Sequence, residues 1–311
     1  MKIVKAKALR KGDIIGIAAP ASPPNSIDDL NKGIRYLEQI GYRIEVGKHV
    51  YDKFGYLAGE DKHRADDLNN LISNPKVKAI FIVRGGYGSH RILPMIDYKS
   101  LKCNPKIFVG YSDITVIQLA VFKKTGLVTF AGPMLAPDFS KTISESAEEL
   151  FWRLVSSTKP VGGISKYQNQ PFRVIHQGKA EGILLGGNLS IISSLVGTPF
   201  IPSFSKSILM LEDIQEAPYR IDRMLHQLKL ANKFKNLSGV VLGNFSTCVT
   251  ETNKPTLTVE EIFDFVFDKY PLMSNAHFGH IKNSTTVPFG IKCRMDTRRH
   301  ELFFLESAVV N

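Results

Sequence analysis

The segment with the clearest structural signature is Ile107-Phe108-Val109-Gly110-Tyr111-Ser112-Asp113-Ile114-Thr115. An apolar run typical of a β-strand meets Gly110, and residues with helical spacing follow Ser112. A serine at a sharp turn from strand to helix is raised above its sheet with the hydroxyl exposed. The next backbone N–H, that of Asp113, then points toward any oxyanion formed there. This pattern predicts an α/β fold in which Ser112 is a nucleophile.

Ser112 also has a simpler interpretation as the cap of the helix that follows it. The usual elbow motif is Gly-x-Ser-x-Gly, and Ile114 stands where the second glycine is expected. The segment alone leaves both interpretations open, because a nucleophilic serine needs a base that other parts of the chain must supply.

The first half of the chain alternates strand-like and helical segments. We predict strands at 14–19, 43–46, 79–83, 107–109 and 128–130. We predict helices at 27–40 (with Ser26 as cap and Gly41 as stop), 61–73, 113–124 and 145–155. Strands separated by helices imply βαβ units and a parallel sheet that is covered on both faces.

A length of 311 residues fits two domains better than one. Residues 156–177 turn polar and rich in Gly, Pro, Ser and Gln, so we take them as the linker between domains 1–155 and 178–311. In the second domain we predict a glycine-rich turn at 186–188 and helices from 218 and at 259–267. Its predicted strands lie at 208–211, 239–242, 292–295 and 302–305.

The composition is that of a globular protein with a basic surface. Hydrophobic residues make up 43% and charged residues 22%, and 40 Lys and Arg against 29 Asp and Glu leave a net charge of +11. Such a charge attracts anionic partners. No Lys/Arg block is interleaved with aromatic residues, however, so we expect a solvated basic surface and no nucleic-acid partner.

The cysteines indicate the compartment. Cys103, Cys248 and Cys293 are odd in number, far apart and without Cys-x-x-Cys spacing, which favours a reducing compartment over a disulfide framework or a thiolate metal site. The apolar run at 14–19 is too short for a signal peptide, and no run approaches the length of a membrane span. We therefore expect a cytoplasmic protein without a membrane span.

Two further residues have the chemistry that Ser112 requires. Glu212 follows an apolar strand, where acidic side chains project into the crevice of an open sheet, and His280 lies in a polar loop. The order Ser, Glu, His is one that builds a triad on α/β scaffolds. Taken singly, Glu212 is also compatible with ordinary loop acidity and His280 with a solvated loop histidine. A metal at His277 and His280 is disfavoured because no third ligand has a helpful spacing.

A glycine-rich turn at 84–89 follows the predicted strand 79–83. Backbone N–H groups at Gly85 and Gly86 are candidates for an oxyanion hole or a phosphate cradle. A dinucleotide site is disfavoured, because Arg91 stands where Gly-x-Gly-x-x-Gly needs its third glycine. An ordinary tight turn is the remaining alternative.

Together these motifs resemble the LD-carboxypeptidase family of serine peptidases, which contains muramoyl-tetrapeptide carboxypeptidases and microcin C immunity hydrolases. The resemblance runs over nearly the whole chain. Its motifs are Gly12-Asp13-Ile14-Ile15-Gly16-Ile17-Ala18-Ala19-Pro20-Ala21-Ser22, Arg84-Gly85-Gly86-Tyr87-Gly88, Gly110-Tyr111-Ser112-Asp113-Ile114-Thr115, Gly186-Gly187-Asn188-Leu189, Leu211-Glu212-Asp213, Glu216-Ala217-Pro218-Tyr219-Arg220-Ile221-Asp222-Arg223, Gly279-His280 and Pro288-Phe289-Gly290.

The resemblance implies a flavodoxin-like N-terminal domain, a mixed α/β C-terminal domain, and a triad at their interface. Ser112 is then the nucleophile, His280 the base and Glu212 the group that orients His280. The oxyanion hole is formed by N–H groups of Asp113 and of the turn at Gly85 and Gly86. The resemblance further implies a homodimer that needs no metal, and we expect no cofactor.

The expected reaction is removal of the C-terminal D-Ala from a murein tetrapeptide during peptidoglycan recycling. The alternatives are hydrolysis of aminoacyl or peptidyl sulfamoyl adenylates, as in the immunity branch, and binding of an anionic ligand without chemistry. Candidates for the substrate's carboxylate are Arg84, Arg220 and Arg223. The roles of Glu216 and Asp213 stay open, because either residue is also suited to bracing its loop.

Overall fold

The computed structural model describes residues 2–249 and 255–311 as two α/β domains, each built on one sheet. Its strands are β1 (Ile14–Ala18), β2 (Arg43–Val46), β3 (Val77–Ile82), β4 (Ile107–Val109), β5 (Thr129–Ala131), β6 (Gly162–Gly163), β7 (Arg173–His176), β8 (Lys179–Asn188), β9 (Ser207–Ile214), β10 (Gly239–Ser246), β11 (Leu272–Ser274), β12 (Val287–Phe289), β13 (Lys292–Asp296) and β14 (Glu301–Phe304). Its α-helices are α1 (Ile27–Gln39), α2 (Asp61–Ser73), α3 (Ser89–Ile92), α4 (Tyr98–Cys103), α5 (Thr115–Thr125), α6 (Glu145–Ser156), α7 (Leu189–Ser194), α8 (Pro218–Leu230) and α9 (Val259–Val266).

The first sheet has the strand order β12-β5-β4-β3-β1-β2. Strands β1 to β5 pair in parallel, and their order is the 2-1-3-4-5 arrangement of flavodoxin-like folds. The predicted elements of this half agree with the observed ones to within two residues at either end. The parallel arrangement brings the carboxyl ends of β1, β3 and β4 to one edge, where the loops that carry the candidate site residues Gly85, Gly86 and Ser112 begin.

The first helix shows how local sequence sets an element's ends. The Ser26 hydroxyl accepts a hydrogen bond from the backbone N–H of Asp29 at 3.2 Å, which satisfies one of the free donors of the helix N-terminus. Gly41, with φ +95°, follows the last turn. The predicted cap and stop are therefore both confirmed.

The second sheet is mixed, with the order β6-β14-β13-β8-β9-β10-β11-β7. The predicted turn at 186–188 is wrong: these residues are the end of strand β8, which pairs in parallel with β9. The predicted linker 156–177 contains β6 and β7, which pair at the two edges of this sheet. Part of the predicted linker therefore belongs to the second sheet.

One strand crosses from the second half of the chain to the first sheet. β12 pairs antiparallel with β5 and forms the edge of the N-terminal sheet, although it follows β11 of the other sheet in sequence. The loop 275–286 therefore runs from one domain to the other, and it carries His280.

No helix in the described ranges combines the length and apolar character needed to cross a bilayer.

The aromatic part of the N-terminal core is centred on β3. Phe81 is fully buried, stacks on Phe139 with ring centroids 6.0 Å apart, and meets the Phe151 ring edge-on at 5.7 Å.

We expect Phe81→Ala to lower the free energy of unfolding by about 3–5 kcal/mol, because it removes a buried ring and leaves a cavity in a close-packed core. Urea denaturation measures the change. The matched control is Phe265→Ala, since Phe265 is 64% exposed on α9 and its loss should cost less than about 0.5 kcal/mol. Equal losses from the two variants would contradict the assignment of Phe81 to the core.

Candidate active site

Ser112 lies at the turn between β4 and α5, and its backbone has φ 65°. A left-handed conformation is uncommon for a residue with a side chain and costs of order 1–3 kcal/mol, so the surrounding structure must impose it. The interpretation of Ser112 as a helix cap is wrong, because α5 begins at Thr115 without a side-chain cap. The Ser112 hydroxyl is instead 2.9 Å from Nε2 of His280.

Glu212 and His280 complete a chain of hydrogen bonds that starts at Ser112. Nδ1 of His280 lies 2.7 Å from Oε2 of Glu212. The Glu212 side chain is only 2% exposed and that of His280 17%, so their contact is screened from water. Glu212 belongs to β9 rather than to the loop after it, since the strand continues to Ile214.

Gly279 allows the histidine loop to pass directly over the acid. Its φ is +122°, and a methyl group on its Cα would lie 2.8 Å from Oε2 and 2.9 Å from Cβ of Glu212. Any larger residue would push the loop away from the carboxylate. The glycine therefore sets the short distance between Glu212 and the imidazole.

The pKa of His280 is raised above its usual value. Burial alone lowers it, but the hydrogen bond and charge of Glu212, with smaller contributions from Asp213 and Asp138, outweigh burial. The site therefore stabilises the imidazolium that forms when His280 accepts a proton.

Asp138 also contributes to the site, although it is not among the residues predicted from the sequence. This carboxylate lies in a π-helical turn at 135–139 after β5, and burial raises its pKa. Its Oδ2 accepts the backbone N–H of Met134 at 2.9 Å. Next to it, the Tyr111 ring meets the His280 ring edge-on at 5.4 Å. The sequence signal that could have indicated Asp138 is its position after the parallel strand β5, because the carboxyl ends of such strands border the binding crevice.

The glycine turn at 84–89 is held against Ser112 from two sides. The Ser22 hydroxyl accepts the N–H of Tyr87 at 3.1 Å, and the Ser22 N–H donates to the Gly85 carbonyl at 3.3 Å. The buried Asp113 carboxylate accepts the N–H of Ser89 at 2.9 Å. Asp113, the residue after Ser112, therefore also anchors the end of the turn.

We expect Gly85→Ala to lower kcat/KM by about 10²–10³-fold, the scale of losing one oxyanion donor. A methyl group there would lie 2.8 Å from Cβ and 3.0 Å from Oγ of Ser112, and 3.4 Å from the Asp113 nitrogen, so it intrudes on the reacting groups. Steady-state kinetics measure the loss. Gly12→Ala is the control for activity. At φ +87° its alanine strains the backbone and lowers stability, but no atom lies within 4 Å of the added methyl group, so kcat/KM should stay near the wild-type value. Equal losses of kcat/KM in the two variants would contradict this explanation.

Two cavities meet at the serine and the histidine. The larger, of about 600 Å³, has an apolar wall that includes Phe139, Ile143, Phe151 and Phe278. The smaller, of about 240 Å³, adjoins the glycine turn and is lined by polar groups including Asn25, Asp29, Arg84 and Lys141. Ser112, His280 and Lys141 border both cavities. An extended substrate can therefore occupy both sides of the hydroxyl.

The remaining candidate residues separate into two groups. Arg84 borders the smaller cavity, where its guanidinium donates to the Asn25 side chain. Glu216, Arg220 and Arg223 line neither cavity, and Glu216 pairs with Arg220 at 3.6 Å, so the structure supports no substrate contact for these three.

Asp213 braces the junction between β8 and α7. It accepts hydrogen bonds from the Asn188 amide at 2.9 Å and from the N–H groups of Ser190 and Ile214 at 2.8 Å each. Burial raises its pKa to about 6 even though these hydrogen bonds oppose the shift.

A serine, a histidine and a carboxylate hydrogen-bonded in this order on an α/β scaffold are the arrangement of serine hydrolases. The LD-carboxypeptidase N-terminal domain matches residues 15–132, and the LD-carboxypeptidase C-terminal domain matches residues 181–295. The chain belongs to the LD-carboxypeptidase family.

The similarity to known proteins extends over almost the whole chain. The probable murein peptide carboxypeptidase of Bacillus subtilis (strain 168) is 38% identical over 298 residues, which are 94% of this chain and 92% of that protein. A crystal structure of the muramoyltetrapeptide carboxypeptidase from Oxalobacter formigenes is 30% identical, with a TM-score of 0.82 over 93% of this chain and 97% of that one. The microcin C7 self-immunity protein MccF in complex with aspartyl sulfamoyl adenosine is 26% identical, with a TM-score of 0.87 over 99% of this chain and 100% of that one.

Proposed function

We propose that this protein is a serine LD-carboxypeptidase that removes the C-terminal D-Ala from murein tetrapeptides during peptidoglycan recycling in the cytoplasm. The observation that carries the proposal is the hydrogen-bonded chain from the Ser112 hydroxyl through His280 to Glu212, with distances of 2.9 and 2.7 Å. The names of the Bacillus and Oxalobacter relatives support the choice of substrate.

In the proposed mechanism, His280 takes the proton of Ser112 as the hydroxyl oxygen attacks the carbonyl carbon of the L-centred third residue. The N–H groups of Asp113 and of the turn at Gly85 and Gly86 hold the oxyanion of the tetrahedral intermediate. His280 then protonates the leaving D-Ala amine as the C–N bond breaks. Water adds to the acyl-enzyme by the same route and releases the tripeptide.

The two cavities suit the two parts of such a substrate. The smaller polar cavity is large enough for one small amino acid, and the Arg84 guanidinium on its wall is a suitable partner for a free carboxylate. The larger cavity, with its apolar wall and with Lys141 and Lys282 at its border, accommodates the rest of the peptide. We therefore assign the leaving D-Ala to the smaller cavity.

The experiment is mass spectrometry of defined muropeptides after incubation with the protein. We expect conversion of tetrapeptide to tripeptide with release of D-Ala. The control is the same tetrapeptide amidated at its C-terminus, which lacks the carboxylate that Arg84 would bind and should react far more slowly. Equal rates would contradict the assignment of the smaller cavity, and an absence of tripeptide from the free acid would contradict the proposed function.

A second candidate function is hydrolysis of aminoacyl or peptidyl sulfamoyl adenylates, which the structural likeness to the MccF complex with aspartyl sulfamoyl adenosine favours. Incubating the protein with such a compound under the same conditions compares the two activities directly. Faster turnover of the adenylate than of the tetrapeptide would favour hydrolysis of sulfamoyl adenylates as the function of this protein. Binding of either compound without turnover would favour a ligand-binding protein.

A further inference from the structure

A cluster of two histidines and an aspartate lies outside the active site. Nδ1 of His49 is 2.8 Å from Oδ2 of Asp52, and Nδ1 of His63 is 3.7 Å from the same oxygen. The two imidazole rings are stacked, with centroids 4.0 Å apart and planes inclined by 12°. All three donor atoms lie within 4.8 Å of one another. Two nitrogen donors and one oxygen donor therefore lie close together near the surface.

The backbone around the cluster is held in place by buried groups. Asp67 on α2, 4% exposed, accepts the N–H of His49 at 2.8 Å and the N–H of Lys48 at 3.1 Å. The Asp52 N–H donates to the His49 carbonyl at 3.0 Å, which closes a turn. His49 and Asp52 belong to the connection after β2 and His63 to the first turn of α2, so the donors come from two separate elements.

We propose that His49, Asp52 and His63 form a binding site for one divalent transition-metal ion of the zinc class. Imidazole nitrogen and carboxylate oxygen are ligands that Zn²⁺ prefers, at about 2.0–2.2 Å, which places donors on a tetrahedral ion about 3.4 Å apart. The observed separations of 2.8 and 3.7 Å lie on either side of that value. Because the rings are nearly parallel, binding turns the half-exposed His63 ring so that both nitrogens point at the ion. Water completes the coordination.

The ion has a structural effect and no part in the hydrolysis. None of the three residues borders the cavities at Ser112. An ion at this point ties the β2–α2 connection to the helix that follows it. Since the ion binds this folded arrangement, its binding free energy adds to the stability of the fold.

The test uses the full chain after treatment with a chelator and measures Zn²⁺ binding by equilibrium dialysis and Co²⁺ binding by its visible absorption. We expect one ion per chain and a melting temperature that rises with Zn²⁺ concentration. His63→Ala should weaken binding at least tenfold, since losing even an outer-sphere partner has that effect, and should abolish the rise in melting temperature. Asp52→Asn should act in the same direction.

The matched control is His226→Ala. His226 also pairs with an aspartate, Nδ1 lying 3.0 Å from Asp222, but in the described part of the chain it belongs to no three-ligand cluster. Its replacement should leave ion binding and the melting temperature unchanged. Failure of the wild-type chain to bind an ion, or equal affinity in wild type and His63→Ala, would overturn the proposal. Neither outcome bears on hydrolysis, because tripeptide release is measured separately.

Discussion

Ser112→Ala is expected to lower kcat for D-Ala release by roughly 10⁶-fold, the scale of losing the nucleophile of a serine hydrolase. The Ser112 oxygen is 2.9 Å from Nε2 of His280, and among the described residues Ser112 is the one hydroxyl hydrogen-bonded to that ring. The variant retains both cavities, so substrate binding should survive. Single-turnover kinetics and isothermal titration separate the two quantities.

The backbone at Ser112 provides a control for this variant. With φ 65°, alanine is strained there and glycine is not, so Ser112→Gly removes the hydroxyl while relieving the backbone. Both variants should be equally inactive, and Ser112→Gly should melt at the higher temperature. Substantial activity in either variant would mean that another group attacks the carbonyl.

Glu212→Gln is expected to lower kcat by roughly 10⁴-fold, because the amide does not hold His280 in the required tautomer and does not stabilise the imidazolium. It should also shift the pH profile. In the wild type, activity requires neutral His280 and falls as the pH drops through its raised pKa. Removing the Glu212 charge lowers that pKa, so the acid limb of kcat/KM should move to lower pH.

Glu216→Gln is the matched control for Glu212→Gln. This carboxylate is four positions further along the chain and lines neither cavity, so its loss should change neither kcat nor the acid limb. If the acid limb of kcat/KM lies at the same pH in Glu212→Gln and in the wild type, the limb reflects the titration of a group other than His280. A purely structural role for Glu212 would lower stability and activity without moving the limb.

Much of the first domain could be predicted because neighbouring residues in the sequence determine where its strands and helices begin and end. Each βαβ unit combines a short apolar run with an amphipathic helix, and caps such as Ser26 mark the ends. Ser112, Glu212 and His280 could be selected because each has a reactive side chain at a break between elements. Their convergence depends on packing between two sheets, which no local pattern encodes.

The elements that the sequence did not predict are the edge strands β6, β7 and β12, the interior strands β8 and β11, and the short helices α3, α4 and α7. β6 consists of Gly162 and Gly163 and therefore has no side-chain alternation, whereas β12 contains Pro288, which ordinarily argues against a strand and is tolerated at an edge. Residues 186–188 have the composition of a turn, with two glycines and an asparagine, although they form the end of β8. Asp138 and Lys141 border the site only because separate loops assemble there.

The crossing of β12 from one sheet to the other makes the protein suitable for fragment complementation. A polypeptide ending within 156–177 holds the hydroxyl but lacks an edge strand of its sheet, and the remaining fragment holds the imidazole and the carboxylate. Neither piece is catalytically complete. Recovered turnover on mixing the two would therefore report their reassembly, with the insertion of β12 beside β5 as the step that restores the shared site.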